Sequence, residues 1–112
     1  MKKGIYCDMC TLDGYCPKPL EAVSGYLSKK WMISTIVTIG NFKKIRFQQL
    51  QRRMKITPKM LSSRLQELMK EKLVSRHVFK TITLQIEYAL TNRGKQLLKA
   101  LLPLMDWADQ QK

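Results

Sequence analysis

The stretch that decides the fold is Ile56-Thr57-Pro58-Lys59-Met60-Leu61-Ser62-Ser63-Arg64-Leu65-Gln66-Glu67-Leu68. Thr57 and Pro58 are typical of a helix start, because the hydroxyl can cap a first-turn N–H and proline suits the first helical position. The three leucines of the stretch share one helical face. The opposite side is polar and cationic, with Lys59, Ser62, Ser63, Gln66 and Lys70. Such a helix is suited to a nucleic-acid groove, and an ordinary amphipathic surface helix is the alternative.

The charge around this helix favours the nucleic-acid interpretation. The chain has 112 residues, 21 Lys and Arg against 8 Asp and Glu, and a net charge of +13. Residues 1–28 are neutral in sum, whereas residues 29–80 carry 14 cations against Glu67 and Glu71 and therefore hold +12. A concentrated basic field binds polyanions through the release of counterions. We therefore expect double-stranded DNA as the partner.

Composition also limits the other classes. At 45% hydrophobic residues the chain can form the core of a single domain and is not a disordered basic tail. No apolar run approaches the roughly 20 residues that span a bilayer, and the N-terminus lacks the apolar core of a signal peptide. We therefore expect a cytoplasmic protein without a membrane partner.

Helical periodicity predicts four helices before residue 73. The first begins at Pro19, and the second covers residues 29–39 with Ser28 as its cap. The second is apolar on most sides, so we expect it at the centre of the core. The third covers residues 47–55, and the fourth is the helix described above, which continues to about Lys72.

The pattern then changes to that of a hairpin followed by one more helix. Residues 73–81 and 84–90 are rich in β-branched and aromatic residues, with Ile82-Thr83 as the predicted tip. Thr91 is the expected cap of the last helix. The predicted fold class is mainly α with a small antiparallel β-hairpin, a winged helix-turn-helix. Its expected parts are a cysteine-containing arm (1–18), the DNA-binding domain (19–90) and a C-terminal dimerisation helix (91–112).

In this form the sequence resembles the HxlR-type winged-helix transcriptional regulators, relatives of the MarR proteins. The matching pieces stand in the family's order and are Cys16-Pro17, Lys30-Trp31, Arg46-Phe47 with Leu50, the stretch 56–68, Leu73-Val74-Ser75-Arg76, Glu87-Tyr88-Ala89-Leu90-Thr91, Gly94 and Trp107. The resemblance implies a homodimer that binds a palindromic operator, with a sensing role for Cys16. The chain departs from the family at Lys29 and Lys72, where glycine is usual, and in a wing without prolines.

These considerations assign roles along the basic segment. Side chains of the polar helix face are expected at base edges in the major groove, namely Lys59, Ser62, Ser63 and Gln66. Other residues are expected at phosphates, which position a protein without reading sequence, namely Lys29, Lys30, Arg52, Arg53, Arg64, Lys80 and Thr83. Arg64 lies on the flank of its helix, so an ion pair with Glu67 is the alternative for that side chain.

The last helix has a wider apolar surface than one small domain can cover, and such surfaces usually mark partner contacts. The expected dimer interface combines the N- and C-terminal helices through Leu20, Val23, Leu98, Leu101, Leu102, Met105 and Trp107. Two paired recognition helices would then meet half-sites about 34 Å apart.

The three cysteines, Cys7, Cys10 and Cys16, leave several interpretations open. Redox sensing is favoured at Cys16, because nearby Lys18 lowers a thiol pKa and Cys7 or Cys10 can resolve the oxidised thiol. A zinc site is the alternative, since Cys7 and Cys10 have the spacing of half a zinc knuckle, although a structural site needs four ligands. The third interpretation is that the cysteines are unreactive thiols. No cofactor is otherwise expected.

The sequence holds no enzymatic constellation and predicts a non-enzymatic protein. There is no phosphate-cradling glycine loop, and one histidine cannot serve a plausible nucleophile triad. The interpretation favoured by all these features is a homodimeric, sequence-specific transcriptional regulator. A non-specific architectural DNA-coating protein and a metal-thiolate interaction module are the alternatives.

Overall fold

In a computed structural model, residues 17–80, 82 and 84–111 are described. The chain divides into two compact units, the first ending at Met32 and the second covering residues 33–112. The described part of the first unit contains helix α1, Lys18–Leu27. Ser28 is the C-cap of this helix, and the helical bonding stops after it, because the Lys29 N–H donates instead to the Tyr26 carbonyl oxygen, three residues back, at 3.3 Å.

The predicted start of the second helix was therefore wrong. Ser28 caps the C-terminus of α1, and helix α2 spans Met32–Gly40. Trp31 has a φ of 72°, in the left-handed region, so the chain cannot continue as a right-handed helix through this residue. The backbone turn between the helices is closed by the Met32 N–H, which donates to Lys29 at 3.1 Å.

Two further helices follow in the second unit. Helix α3 spans Phe47–Met54, and helix α4 spans Pro58–Lys70. The predicted cap of α4 is confirmed, because the Thr57 hydroxyl accepts the Met60 N–H at 3.2 Å. The two helices are joined by a short turn in which Lys55 adopts a left-handed φ of 56°. They form the helix-turn-helix pair that the sequence predicted.

The sheet has one more strand than predicted. Strand β1 is Ile45–Arg46, β2 is Val74–Lys80 and β3 is Leu84–Leu90, in the antiparallel order β1-β3-β2. The predicted hairpin is β2 with β3, and β1 adds to its open edge where Ile45 lies opposite Tyr88. The fold is a winged helix-turn-helix with β2 and β3 as the wing.

Helix α5 spans Asn92–Asp109 and contains Pro103 in its interior. Its predicted cap is also confirmed, since the Thr91 hydroxyl accepts the Gly94 N–H at 3.1 Å. In the second unit, the apolar side chains that are at most 2% exposed come from α2, β1, α3, α4 and the residue before β2, namely Ile36, Ile39, Ile45, Leu50, Leu61, Leu65, Leu68 and Leu73. This core holds α3, α4 and the sheet in fixed relation.

Candidate nucleic-acid interface

Helix α4 separates its two faces completely. Leu61, Leu65 and Leu68 are 0–1% exposed and anchor the helix in the core. The opposite side leaves Lys59, Ser63 and Gln66 exposed, together with Lys70, whereas Ser62 is half-buried. Because the buried leucines fix the rotation of the helix about its axis, the exposed side chains project in defined directions. Three of the four residues predicted to face bases are therefore exposed.

A cleft of about 260 Å³ lies between α4 and the wing. Its lining residues are Ser62, Leu65, Gln66, Met69, Arg76 and Tyr88. The exposed Arg76 was missed as a candidate contact. Strand alternation places it on the same face of β2 as the buried Val74, so its side chain lies on the side of the sheet that faces the helix. That alternation was the signal available in the sequence. Arg76 adds a guanidinium to the cleft that Gln66 also lines.

Arg64 takes the alternative role left open by the sequence. Its Nη1 lies 2.8 Å from Oε1 of Glu67, and the two side chains are only 13% and 25% exposed. A charge-assisted bond with so little solvent exposure holds the guanidinium against its own helix. Its predicted phosphate contact remains a prediction that requires this ion pair to open or to be shared.

A second cleft, of about 500 Å³, lies between the start of α3 and β3. Arg52 lines it, together with Arg46, Phe47, Gln48, Gln49, Leu84, Gln85 and Ile86. Arg53 is exposed on the helix, and its guanidinium carbon lies 5.1 Å from the ring centroid of Phe42. A cation over an aromatic face is attracted by the ring quadrupole, which restrains this arginine without neutralising it. Arg46 was also missed by the sequence reasoning.

The remaining predicted phosphate contacts lie at two other places. Lys29 and Lys30 are exposed in the first unit, where the Lys30 ammonium lies 5.4 Å from the Trp31 ring centroid. Lys80 is exposed at the end of β2. Thr83 lies outside the described residues, so its predicted role is unchanged.

The cysteine predictions fall on a part of the chain that is not described. Cys7, Cys10 and Cys16 all lie there, so neither the redox nor the zinc interpretation is tested by the geometry. Within residues 17–80, 82 and 84–111, no group of three or more His, Cys, Asp or Glu side chains is placed to hold a metal ion. The ring of His77 lies 2.9 Å from the hydroxyl of Ser75, as a neighbour on the same wing strand.

The residues predicted for the dimer interface differ in their exposure. In the first unit, Leu20 is 64% exposed and Val23 is half-buried. On α5, Leu102 is 48% and Trp107 is 59% exposed, whereas Leu98 and Met105 are half-buried. Leu101 corrects the prediction, because it is only 7% exposed and packs within its own chain, so little of its surface is left for a partner. Leu104, 51% exposed, was missing from the predicted set.

Comparison with known proteins identifies the family. The sequence profile of the HxlR-like helix-turn-helix proteins matches residues 26–112. The chain belongs to this family. An HTH-type transcriptional regulator of Halalkalibacterium halodurans is 37% identical over 90 residues, which cover 80% of each protein. Among solved structures, the HxlR-like fold is similar to reduced YodB from B. subtilis, with a TM-score of 0.75 and 31% identity over 87% of this chain and 94% of that one.

A second solved structure adds to this comparison. The redox regulator HypR in its reduced form has a TM-score of 0.75 and 28% identity, and the match covers 82% of this chain and 91% of that one. This HxlR-like chain is accordingly a transcriptional regulator with a helix-turn-helix, and its family and relatives are regulators and not enzymes, as predicted. In the described part of the chain, no helix has the length and apolar character needed to cross a bilayer.

Proposed function

We propose that this regulator binds a palindromic DNA operator as a homodimer, with α4 in the major groove of each half-site. The observation that carries this proposal is the division of α4, whose leucines are buried while Lys59, Ser63 and Gln66 are exposed. Gln can form hydrogen bonds to both N6 and N7 of adenine, whereas Ser forms hydrogen bonds with several different bases. Gln66 is therefore the main sequence reader, and the cations around it position the duplex.

Selection from a pool of random duplexes tests sequence recognition. A regulator enriches one palindrome and binds it roughly 10³-fold or more tightly than random duplex. With about six phosphates neutralised, log K falls against log salt with a slope of about −5. Equal affinity for all duplexes supports the architectural coating protein, which the net charge of +13 also suits. A slope near zero on the selected duplex contradicts DNA binding through this basic surface.

The homodimer is supported by the exposed apolar side chains of α5, where Leu102, Leu104 and Trp107 are about half exposed. Exposed apolar side chains concentrated along one helix usually mark a surface that a partner covers. A second copy is the occupant we propose, because a palindrome presents two related half-sites to a two-fold dimer. Sedimentation equilibrium at micromolar concentration is expected to give the mass of two chains, and a monomer contradicts the proposal.

We further propose that Cys16 is the sensing thiol. The support is that YodB is known in reduced, diamide-treated and quinone-bound forms and HypR in reduced and oxidised forms. In this chain Lys18 stands two residues from Cys16, and a neighbouring cation increases the thiolate fraction. Diamide would accept two electrons and two protons as two thiols, that of Cys16 and that of Cys7, Cys10 or a second chain, become one disulfide.

The cysteine test compares three variants. Diamide is expected to weaken DNA binding of the wild type and of Cys7→Ser or Cys10→Ser taken singly, but not of Cys16→Ser. Metal analysis of protein purified under reducing conditions distinguishes a zinc site at these cysteines from a redox-sensing thiol. One equivalent of zinc that is lost in each of the three variants contradicts the sensing role.

A further inference from the structure

The far end of the wing exposes apolar side chains. Ile82, at the turn, is 104% exposed, Leu84 is 65%, Val78 is 45% and Phe79 is 39%. Strand register places Val78 opposite Ile86 and Lys80 opposite Leu84, so Val78 and Leu84 share one face of the hairpin and Phe79 lies on the other. Exposed apolar side chains grouped at one place usually mark a contact with another molecule.

The charge around this tip shows what kind of surface it fits. Lys72, Arg76 and Lys80 are the charged residues between Glu71 and Glu87, and no acid interrupts them. The Lys44 ammonium adds a further positive charge, 5.2 Å from the centroid of the Phe79 ring. Lys80, at the end of β2, and Lys44, beside Phe79, therefore place positive charge next to the apolar tip. A partner for this tip must be anionic on its outside and must accept apolar groups within.

The reach of the wing matches the spacing of DNA grooves. From Val74, beside the end of α4, to Lys80 the strand extends by roughly 20 Å at about 3.4 Å per residue. Half a helical turn of DNA, which separates a major groove from the next minor groove, is about 17 Å. With α4 in the major groove, the tip of the hairpin can thus meet the adjacent minor groove. There, lysines meet phosphates, and an apolar side chain can enter between base pairs.

We propose that Ile82 inserts into the minor groove as an apolar wedge that opens one base step and bends the operator. Lys80 and Lys44 hold the flanking phosphates, and Leu84 covers the opened step. Opening a base step costs the least free energy at flexible pyrimidine–purine steps. The wedge therefore selects operators by their deformability, at a position where the protein forms no hydrogen bond to a base edge. The inference rests on the proposed DNA binding and adds a second, indirect source of specificity to α4.

The test uses the full chain and the duplex that it selects from a random pool. Energy transfer between dyes at the duplex ends measures bending, and 2-aminopurine placed at successive steps detects unstacking. The wild type is expected to bend the duplex by about 20–90° and to unstack one step. Ile82→Ser, at a fully exposed position, is expected to keep the fold, to lose more than half of the bend and the unstacking, and to bind about tenfold more weakly.

A matched variant separates the wedge from charge. Lys80→Ala is expected to keep the bend but to reduce the salt slope by about 1, whereas Ile82→Ser leaves the slope unchanged. A wild type that binds no duplex overturns the proposed function and the wedge together. Wild-type binding that Ile82→Ser leaves unchanged in bend and affinity overturns the wedge alone.

The same variant distinguishes two other possible partners of the tip, a lipid surface and a second copy of the chain. If Ile82→Ser abolishes binding to vesicles of phosphatidylcholine and phosphatidylglycerol but leaves the DNA bend intact, the tip contacts lipid and the wedge is overturned. If the variant instead changes the mass of the DNA-free protein in sedimentation, the tip contacts a second copy, and the wedge is likewise overturned.

Discussion

The hydroxyl of Thr91 donates a hydrogen bond of 2.7 Å to the backbone carbonyl oxygen of Lys72. The hydroxyl oxygen of Thr91 accepts the Gly94 N–H, while the Thr91 N–H donates to the Leu73 carbonyl oxygen at 3.0 Å. The first turn of α5 is thereby bonded to the place where the chain leaves α4 and enters the wing. The helix that we assign to the DNA and the helix that we assign to the dimer share this one junction.

Thr91→Val is expected to lower the free energy of unfolding by about 1–2 kcal/mol, because the cap of α5 and the bond to Lys72 are lost together while the side-chain shape is kept. Urea denaturation measures this change. Thr38→Val is the control, since that hydroxyl bonds only within its own helix, to the Ser34 carbonyl oxygen at 2.7 Å, and its loss is expected to cost less than about 0.5 kcal/mol. Equal losses in the two variants would contradict the importance of the junction.

Gly94→Ala is expected to destabilise the protein by about 3 kcal/mol, because an added Cβ would overlap the backbone carbonyl oxygen of Leu73, which cannot move without displacing β2. Thermal unfolding followed by circular dichroism measures the effect. Gly25→Ala in α1 is the matched control, since a Cβ there meets no atom within 4 Å. It is expected to stabilise by about 0.5–1 kcal/mol, as alanine is the better helix former.

Lys72→Gly is expected to stabilise the protein by about 0.5–1 kcal/mol. Lys72 has a φ of 61° and follows the last turn of α4, where its N–H donates to Met69 and the next N–H donates to Leu68. This is the helix ending that glycine serves best, because a Cβ is strained in the left-handed region. The family resemblance places glycine at the same position. Lys99→Gly, in the exposed interior of α5, should cost about 1 kcal/mol instead.

Gln66→Ala is expected to relax base preference at one position of each half-site by about 1–3 kcal/mol and to leave the salt slope unchanged. Competition among duplexes that differ at single positions measures this effect. Gln96→Ala, exposed on α5, is the control and should alter neither quantity. A uniform loss of affinity across all duplexes would show that Gln66 contacts phosphates and not bases.

Leu102→Glu is expected to shift the protein from dimer to monomer at micromolar concentration, because a charge on this half-exposed side chain must be desolvated when a second copy covers α5. Sedimentation equilibrium measures the shift, and unfolding of the monomer should be little changed. Lys99→Glu on the same helix provides a charged control at an exposed position. A dimer that survives Leu102→Glu would place the interface elsewhere.

The sequence by itself determined the order of the helices and of the two hairpin strands, and it predicted where the site lies. The caps at Thr57 and Thr91, the leucine spacing of α4 and the change to strand composition are local signals, and local geometry is enough to specify them. The basic segment around α4 is likewise a property of composition. These features predicted the helix-turn-helix, the wing and the polar face carrying Gln66.

Only the tertiary structure decided the features that depend on distant partners. Strand β1 is only two residues long, which is too short to show a strand period in the sequence. It is a strand because its residues pair with Glu87 and Tyr88 of β3. The wide apolar surface of the last helix put Leu101 and Leu102 in the same predicted interface, but packing buries the first and exposes the second. Packing also brings Arg76 of β2 and Gln66 of α4 to the same cleft. Helical and strand periods show which residues share a face, whereas the contacts formed on folding decide which face is covered.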